Sequence, residues 1–349
     1  MLRSCQPGQN TRFRAVRRAC DNRPVLQIFE ITFPFFALVL AGYIAARQGW
    51  LPLQAIPGLN GFVLYFALPC MLFRFGASLP LAQLLDPAAF VTYLLCALVM
   101  VAFAVAISLN SRIGWKDGAL GALVAVFPNT GFMGVPLLVA ILGNAAAGPA
   151  IVTILVDLVV TSSLCIALST LDSHDGKSTG AALKNALIGV AKNPMPWAIC
   201  LGGAASALRS HWQLELPPPA LATLGMLADA ASPVALFTIG CVLARSQILT
   251  QQGHATPTAI GDYLPMALLK LVVHPLLVLL AGSVAIQLGV GLGKFALTVM
   301  VLVAALPSAS NVAMLAERFE ADSGRIARII LVTTAAAFVT FSLAVRVLV

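Results

Sequence analysis

Residues 127–136 read FPNTGFMGVP, inside a stretch, 118–156, that carries no charged residue. A run so apolar is expected to wind as one helix, yet its centre holds two prolines, two glycines, an asparagine and a threonine. In hydrocarbon an unpaired backbone polar group is costly, so broken helix survives at membrane depth only inside protein or beside a wet cavity. Pro128 lacks an amide hydrogen and its ring clashes with the preceding turn. Gly131 and Gly134 tolerate an opened backbone. Asn129, Thr130 and the bared amides then become ligands. The N-terminus of the half-helix that follows carries about half a positive charge and suits an anion.

The rest of the composition demands such a setting. The chain has 349 residues, of which 60% are hydrophobic and 10% charged, with a mean hydropathy of +0.94. A soluble domain is about 25% charged, so the solvent here is lipid and the protein is an all-α polytopic membrane protein. Its net charge of +8 fits the excess of Lys and Arg in cytoplasmic loops. Aromatic–basic interleaving is lacking, and nucleic acid is not expected as a partner. The seven cysteines and four histidines are scattered without ligand spacing, so no metal or cofactor is expected. Neither a phosphate-binding loop nor a Ser/His/Asp constellation appears, which argues against ATP drive and against an enzyme.

A spanning helix needs about 20 apolar residues. Charges and Pro/Gly clusters divide the chain into ten spans: 25–46, 57–75, 88–110, 118–142, 149–171, 194–209, 219–245, 262–288, 294–316 and 324–348. The polar interval 172–193 is expected as a cytoplasmic connecting loop between two five-helix repeats, 25–171 and 194–349. Internal echoes support the duplication. PCMLFRFG (69–76) and PVALFTIG (233–240) share Pro-x-x-Leu-Phe-x-x-Gly, in spans two and seven. LVAVFP (123–128) and LVAALP (302–307) share Leu-Val-Ala-x-x-Pro, in spans four and nine. An odd number of spans per unit makes the second copy enter from the opposite face, an inverted repeat. With the N-terminus outside, ten basic residues fall in inside loops, Arg325 among them, and four outside. Residues 1–24 form a basic tail that argues the other way. It reads either as an organellar targeting segment or as a start placed too far upstream, with Val25 the true start.

The second break is Pro307 in LPSASNVAM (306–314), followed by Ser308, Ser310 and Asn311. Paired interruptions at matching places in two repeats point to a transporter's central site. Proline kinks without function are the plainer alternative. Lys270 is the one basic residue deep in a span, where an ionisable group is a functional-site hypothesis. It attracts an organic anion, acts in proton coupling, or snorkels to an interface. Asp157, mid-span, lines the site and handles the coupling proton, or pairs structurally with Lys270. Asp229 and Glu30 read as near-interface residues, and His274 as a partner for carbonyls freed by Pro275.

FPNTGFMGVPLL resembles the signature of the auxin efflux carrier family, which includes plant auxin exporters and bacterial carriers of malonate and other small organic acids. SPVALFTIGCVLA (232–244), LPSASNVAMLAERFEAD (306–322) and LNGFVLYFALPCMLF (59–73) resemble further motifs of that family, in family order. The resemblance implies ten helices in a 5+5 inverted repeat. Spans four and nine would cross at Pro128 and Pro307, with Asn129 and Asn311 beside the crossover. The long central hydrophilic loop of the plant members is missing, which favours a bacterial-type, malonate/organic-acid carrier over an auxin exporter. The expected function is secondary active transport of a small organic anion by alternating access, in the plasma membrane. Expected partners are that anion, the lipid bilayer, a proton as coupling ion and a second copy in a homodimer. A sodium-coupled bile-acid-type symporter and a membrane-embedded ligand sensor are the rival readings.

Overall fold

Long apolar runs wind into helices, and the computed structural model shows where each one stops. It describes residues 23–78, 86–171, 191–213, 216–251 and 259–349, with Lys184 and Ile188. The basic tail up to residue 22 and most of the interval 172–193 lie outside these residues. Within that interval Lys184, Ile188, Ala191 and Lys192 are helical rather than loop.

The helices in chain order are α1 (Arg23–Arg47), α2 (Leu53–Ser78), α3 (Pro87–Ser108), α4 (Trp115–Val126), α5 (Thr130–Leu142) and α6 (Asn144–Leu168). There follow α7 (Pro194–Trp212), α8 (Pro218–Gln251), α9 (Ile260–Gln287), α10 (Lys294–Ala304), α11 (Val312–Arg318) and α12 (Ser323–Leu348). Seven of them, α1, α2, α3, α6, α8, α9 and α12, are long and apolar enough to cross a membrane. Helices α5 and α10 are apolar but shorter. The single β-type pairing among the described residues joins Pro128 to Ser308.

Side chains set several helix starts. Asp86 accepts from the amides of Ala88 and Ala89 at the head of α3, Asn193 from Met195 at α7, and Asp322 from Arg325 at α12. Each satisfies a donor that the first turn leaves unpaired. Four stretches widen to π-helix: Val63–Ala67, Thr130–Gly134, Val156–Thr161 and Leu269–Val273. Three of these stop two residues short of a proline (Pro69, Pro136, Pro275). That proline lacks an amide hydrogen and cannot close the usual bond to the carbonyl four residues back. The stretch around Asp157 has no proline after it.

Two helix pairs pack with backbones almost touching. A Cβ on Gly240 of α8 would sit 1.9 Å from the Val39 carbonyl oxygen of α1, and one on Gly42 of α1 would sit 1.9 Å from that of Phe237. In α7 a Cβ on Gly202 would lie 2.5 Å from the Phe73 oxygen of α2, and Gly76 faces Ile199 and Gly202. Gly76 and Gly240 are the final residues of the two echoed octapeptides. The echo therefore ends, in each case, on a glycine at a close helix contact, α2 with α7 and α8 with α1. Tyr43 hydrogen-bonds Gln247 where α1 and α8 end, and Arg47 donates to Gln251 at 3.3 Å.

Arg325 departs from its place among the loop charges. It is 2% exposed, and its guanidinium donates to the Asp262 carbonyl (2.7 Å), the Asp117 carbonyl (3.0 Å) and the Ser108 hydroxyl (3.2 Å). The starts of α4, α9 and α12 and the end of α3 thereby meet at one side chain.

Candidate functional site

Helix α4 ends at Val126, the chain runs extended through Phe127 and Pro128, and helix resumes at Thr130. The second interruption separates Ala304 from Val312. The two breaks satisfy each other: the Asn129 amide donates to the Pro307 carbonyl (2.8 Å) and the Ala309 amide to the Phe127 carbonyl (2.9 Å). Polar backbone that lipid could not tolerate is thus paired with its counterpart. Thr333 of α12 supports the crossing by accepting from the Ser308 amide at 3.2 Å. Close approach is possible because Gly134 has no side chain; a Cβ there would lie 2.5 Å from Leu306 Cδ1.

Pro128, Asn129, Thr130, Pro307, Ser308 and Ser310 are all buried at this crossing, and Gly131 and Asn311 are partly buried. Thr130 Oγ1, Ser308 Oγ and Asn311 Oδ1 are buried without a hydrogen-bond partner. Buried polar atoms normally find one, so three open ones beside a broken helix are ligand-seeking groups. A cavity of about 30 Å³, room for roughly two waters, lies at the crossing, and of these three residues Asn311 lines it. Its polar wall is Pro128, Asn129, Gly131 and Asn311; Leu68 of α2, Phe127, Phe132, Ile154 and Leu158 of α6, Met195 of α7 and Ala309 complete it.

Lys270 and Asp157 do not line this cavity. Both are fully buried next to it, together with Tyr93 and His274. Lys270 Nζ donates to the Ala304 carbonyl at 2.7 Å, capping the negative end of α10, and lies 3.2 Å from His274 Nδ1. Asp157 accepts from Tyr93 (3.2 Å) and Thr161 (3.2 Å). The His274 ring packs 5.9 Å from that of Tyr93. Among the described residues no ion pair within 4 Å joins Lys270 to Asp157, although the two buried charges feel one another. His274 bonds the lysine rather than a carbonyl freed by Pro275. Asp229 pairs with Arg74 of α2 at 2.6 Å, well exposed on both sides, and such pairs contribute little.

Sequence reasoning missed Tyr93 and Thr333, whose roles come from partners distant along the chain, and Thr161, which bonds Asp157 four residues back. It also missed the apolar wall, where Leu68 and Met195 look like ordinary membrane-span residues. One usable signal existed for Asp157: Thr161 and Ser162 follow it at helical spacing, and Ser162 Oγ caps the Asp157 carbonyl at 2.7 Å.

Comparison with known proteins agrees with this picture. The family described as membrane transport protein matches residues 27–179 and 168–345. A protein of Rhizobium meliloti (strain 1021) named "Putative malonate transporter" is 28% identical over 309 residues, 88% of this chain and 92% of its own. The "Uncharacterized transporter YfdV" of Escherichia coli (strain K12) is 28% identical over 293 residues, 82% of this chain and 86% of its own.

Proposed function

The chain belongs to the membrane transport protein family, that of the auxin efflux carriers, and from this premise we propose that it carries a small organic anion, a mono- or dicarboxylate, by secondary active transport. It is a multi-pass membrane protein, which in bacteria means the inner membrane. The observation that supports the substrate class is the trio of unpartnered buried atoms at the crossing, Thr130 Oγ1 at the start of α5 and Ser308 Oγ and Asn311 Oδ1 in the second interruption. Hydroxyls there donate to an anion, the first-turn amides of α5 add more donors, and Asn129 and Asn311 orient it. Ser310 and Gly131 shape the approach. Lys270 supplies the positive charge from behind, Asp157 tunes it, and a proton is the coupling ion. Malonate is the first candidate, since a relative carries that name.

The architecture in this reading is ten spans in a 5+5 inverted repeat, 25–171 and 194–349, joined through a cytoplasmic segment at 172–193. α4 with α5 and α10 with α11 form the broken fourth and ninth spans and cross at Pro128 and Pro307. Two observations favour it. The close glycine contacts come as a matched set, α1 with α8 and α2 with α7. Alternate crossing also puts the starts of spans four, eight and ten on one side, in keeping with their meeting at Arg325. The glycine-tight helices α1, α2, α7 and α8 serve as a scaffold, and the crossing bundle moves against the Leu68 and Met195 wall. A carboxylate larger than two waters enters as that wall yields.

Proteoliposomes offered a panel of radiolabelled mono- and dicarboxylates test this. At least one acid is expected to accumulate, and Asn129→Ala to slow its entry by about tenfold or more, the loss of one hydrogen bond to a charged group. An empty panel, or an Asn129→Ala protein that transports like the wild type, removes the site from consideration. Replacing sodium by potassium or choline is expected to leave uptake intact; a strict sodium requirement would favour the bile-acid-type symporter.

A further inference from the structure

We propose that Asp157 is the proton carrier of this transporter, loaded when the anion binds, with Lys270 as a fixed countercharge and Tyr93 and His274 as the groups that let the proton sit there. The inference rests on the organic-anion reading and adds to it the residue that couples the two solutes.

The first support is the backbone. Three of the four π-helical stretches lie just ahead of a proline that forces them; Val156–Thr161 does not. A π-bulge without a proline commonly marks a functional position. Here it is held open by polar side chains, with Ser162 Oγ on the Asp157 carbonyl (2.7 Å) and Thr161 Oγ1 on Oδ1 (3.2 Å). The bulge sets Asp157 next to Leu158 and three residues after Ile154, both on the cavity wall. Asp157 thus belongs to the stretch of α6 that walls the cavity, with its carboxylate turned to Tyr93 and Thr161.

The second support is the company it keeps. Facing Asp157 are Tyr93 from α3, Thr161 and Cys165 from its own helix, and Lys270 from α9, with Cys96 beside Tyr93 and His274 beside Lys270 and Tyr93. One carboxylate and one ammonium, both fully buried, make a neutral set when the cavity is empty. An entering anion adds negative charge, and a proton from solution on Asp157 (carboxylate to carboxylic acid) offsets one unit of it, all of a monocarboxylate's charge and half of a dicarboxylate's. That proton removes the group opposing the anion and leaves the Lys270 charge uncompensated beside it. Tyr93 suits either state, because its phenol donates to the carboxylate and accepts from the acid. With Lys270 donating to Nδ1, the His274 proton sits on Nε2, which is buried and unpartnered. Lys270 also grips the Ala304 carbonyl, three residues before Pro307, tying the charge set to the crossing. Release of anion and proton on the far side resets the site.

Calorimetric titration of the purified full chain with malonate, in buffers of different ionisation heat, counts protons taken up per anion bound. The expected count is about one, with affinity weakening about tenfold per unit rise in pH. An infrared band of a protonated carboxyl should appear on binding. Asp157→Asn, which keeps an acceptor for Tyr93 and Thr161, should bind with no proton uptake, no such band and a pH-independent affinity. Malonate binding without uptake in the wild type overturns this proposal and leaves the carrier reading standing. Uptake that survives in Asp157→Asn also overturns it. If neither malonate nor any other mono- or dicarboxylate binds, the carrier reading falls and this one with it. Should Asp157→Asn fail to fold, Tyr93→Phe decides on the infrared band alone: deleting the hydroxyl must shift it, and an unmoved band places the proton elsewhere.

Discussion

Gly240→Leu is expected to yield almost no folded protein. Even a methyl at this position would sit 1.9 Å from the Val39 carbonyl oxygen, which belongs to a helix backbone and cannot rotate away. Ordinary overpacking costs about 1–3 kcal/mol because side chains shift. Here two whole helices, α1 and α8, must separate, and the cost lies above that range. Gly42→Leu, from the facing helix, should do the same, since its Cβ would meet the Phe237 oxygen at 1.9 Å. The control lies in the same helix. Gly225 has nothing within 4 Å of a built Cβ, so Gly225→Ala should hold or raise the melting temperature, by up to about 1 kcal/mol of helix propensity. Fluorescence-detected gel filtration of the detergent extract, followed by a melting curve, reads all three. A monodisperse Gly240→Leu protein that melts like the wild type would refute the close α1–α8 packing.

Arg325→Ala is the second large effect. The side chain is 2% exposed and donates to groups on three other helices: Asp262 of α9, Asp117 of α4 and Ser108 of α3. Removing it takes a charged donor from two carbonyls and a hydroxyl in the interior, and removes the guanidinium that Asp117, Asp262 and Asp322 share. Deleting one side of a buried charged cluster typically costs about 3–5 kcal/mol. Arg325→Lys should recover only part, because an ammonium is a point charge and cannot fork to three helices at once. Melting temperature and hydrogen exchange at the starts of α4 and α9 measure both variants. Equal protection there in Arg325→Ala and wild type would show that the cluster does not join the helices.

Membrane residence and helical class were legible because each is a local statement. The absence of charge over 118–156 declares the solvent, and Pro128 with Gly131 and Gly134 declares a rupture. The family was legible from FPNTGFMGVPLL and the motifs that follow in order. Partnership was harder to read. Arg325 looked like a loop charge because it follows Asp322 and Ser323 at a helix start; only the folded chain brings Asp262 and Ser108 to it. Lys270 read as a buried cation for an anion or a proton, and its amine's partners, the Ala304 carbonyl and His274, came only with the folded chain. Tyr93 carried no local sign at all. Apolar walls such as Leu68 and Met195 are indistinguishable from lipid-facing residues until a cavity is drawn between them. Spacing reports what a helix must do with its own backbone, and is silent on which other helix answers it.

The junction between the two ruptured segments is tied by main-chain atoms, Asn129 to Pro307 and Ala309 to Phe127. Peptide groups are the same in every residue, so the knot does not depend on the side chains that surround it. On the proposed reading, a lineage could trade Leu68, Phe132 or Met195 for larger or smaller neighbours and so admit a longer or branched solute, while the tie at the crossing stays as it is. Selectivity and integrity are thus written in different atoms, which leaves one free to drift without endangering the other.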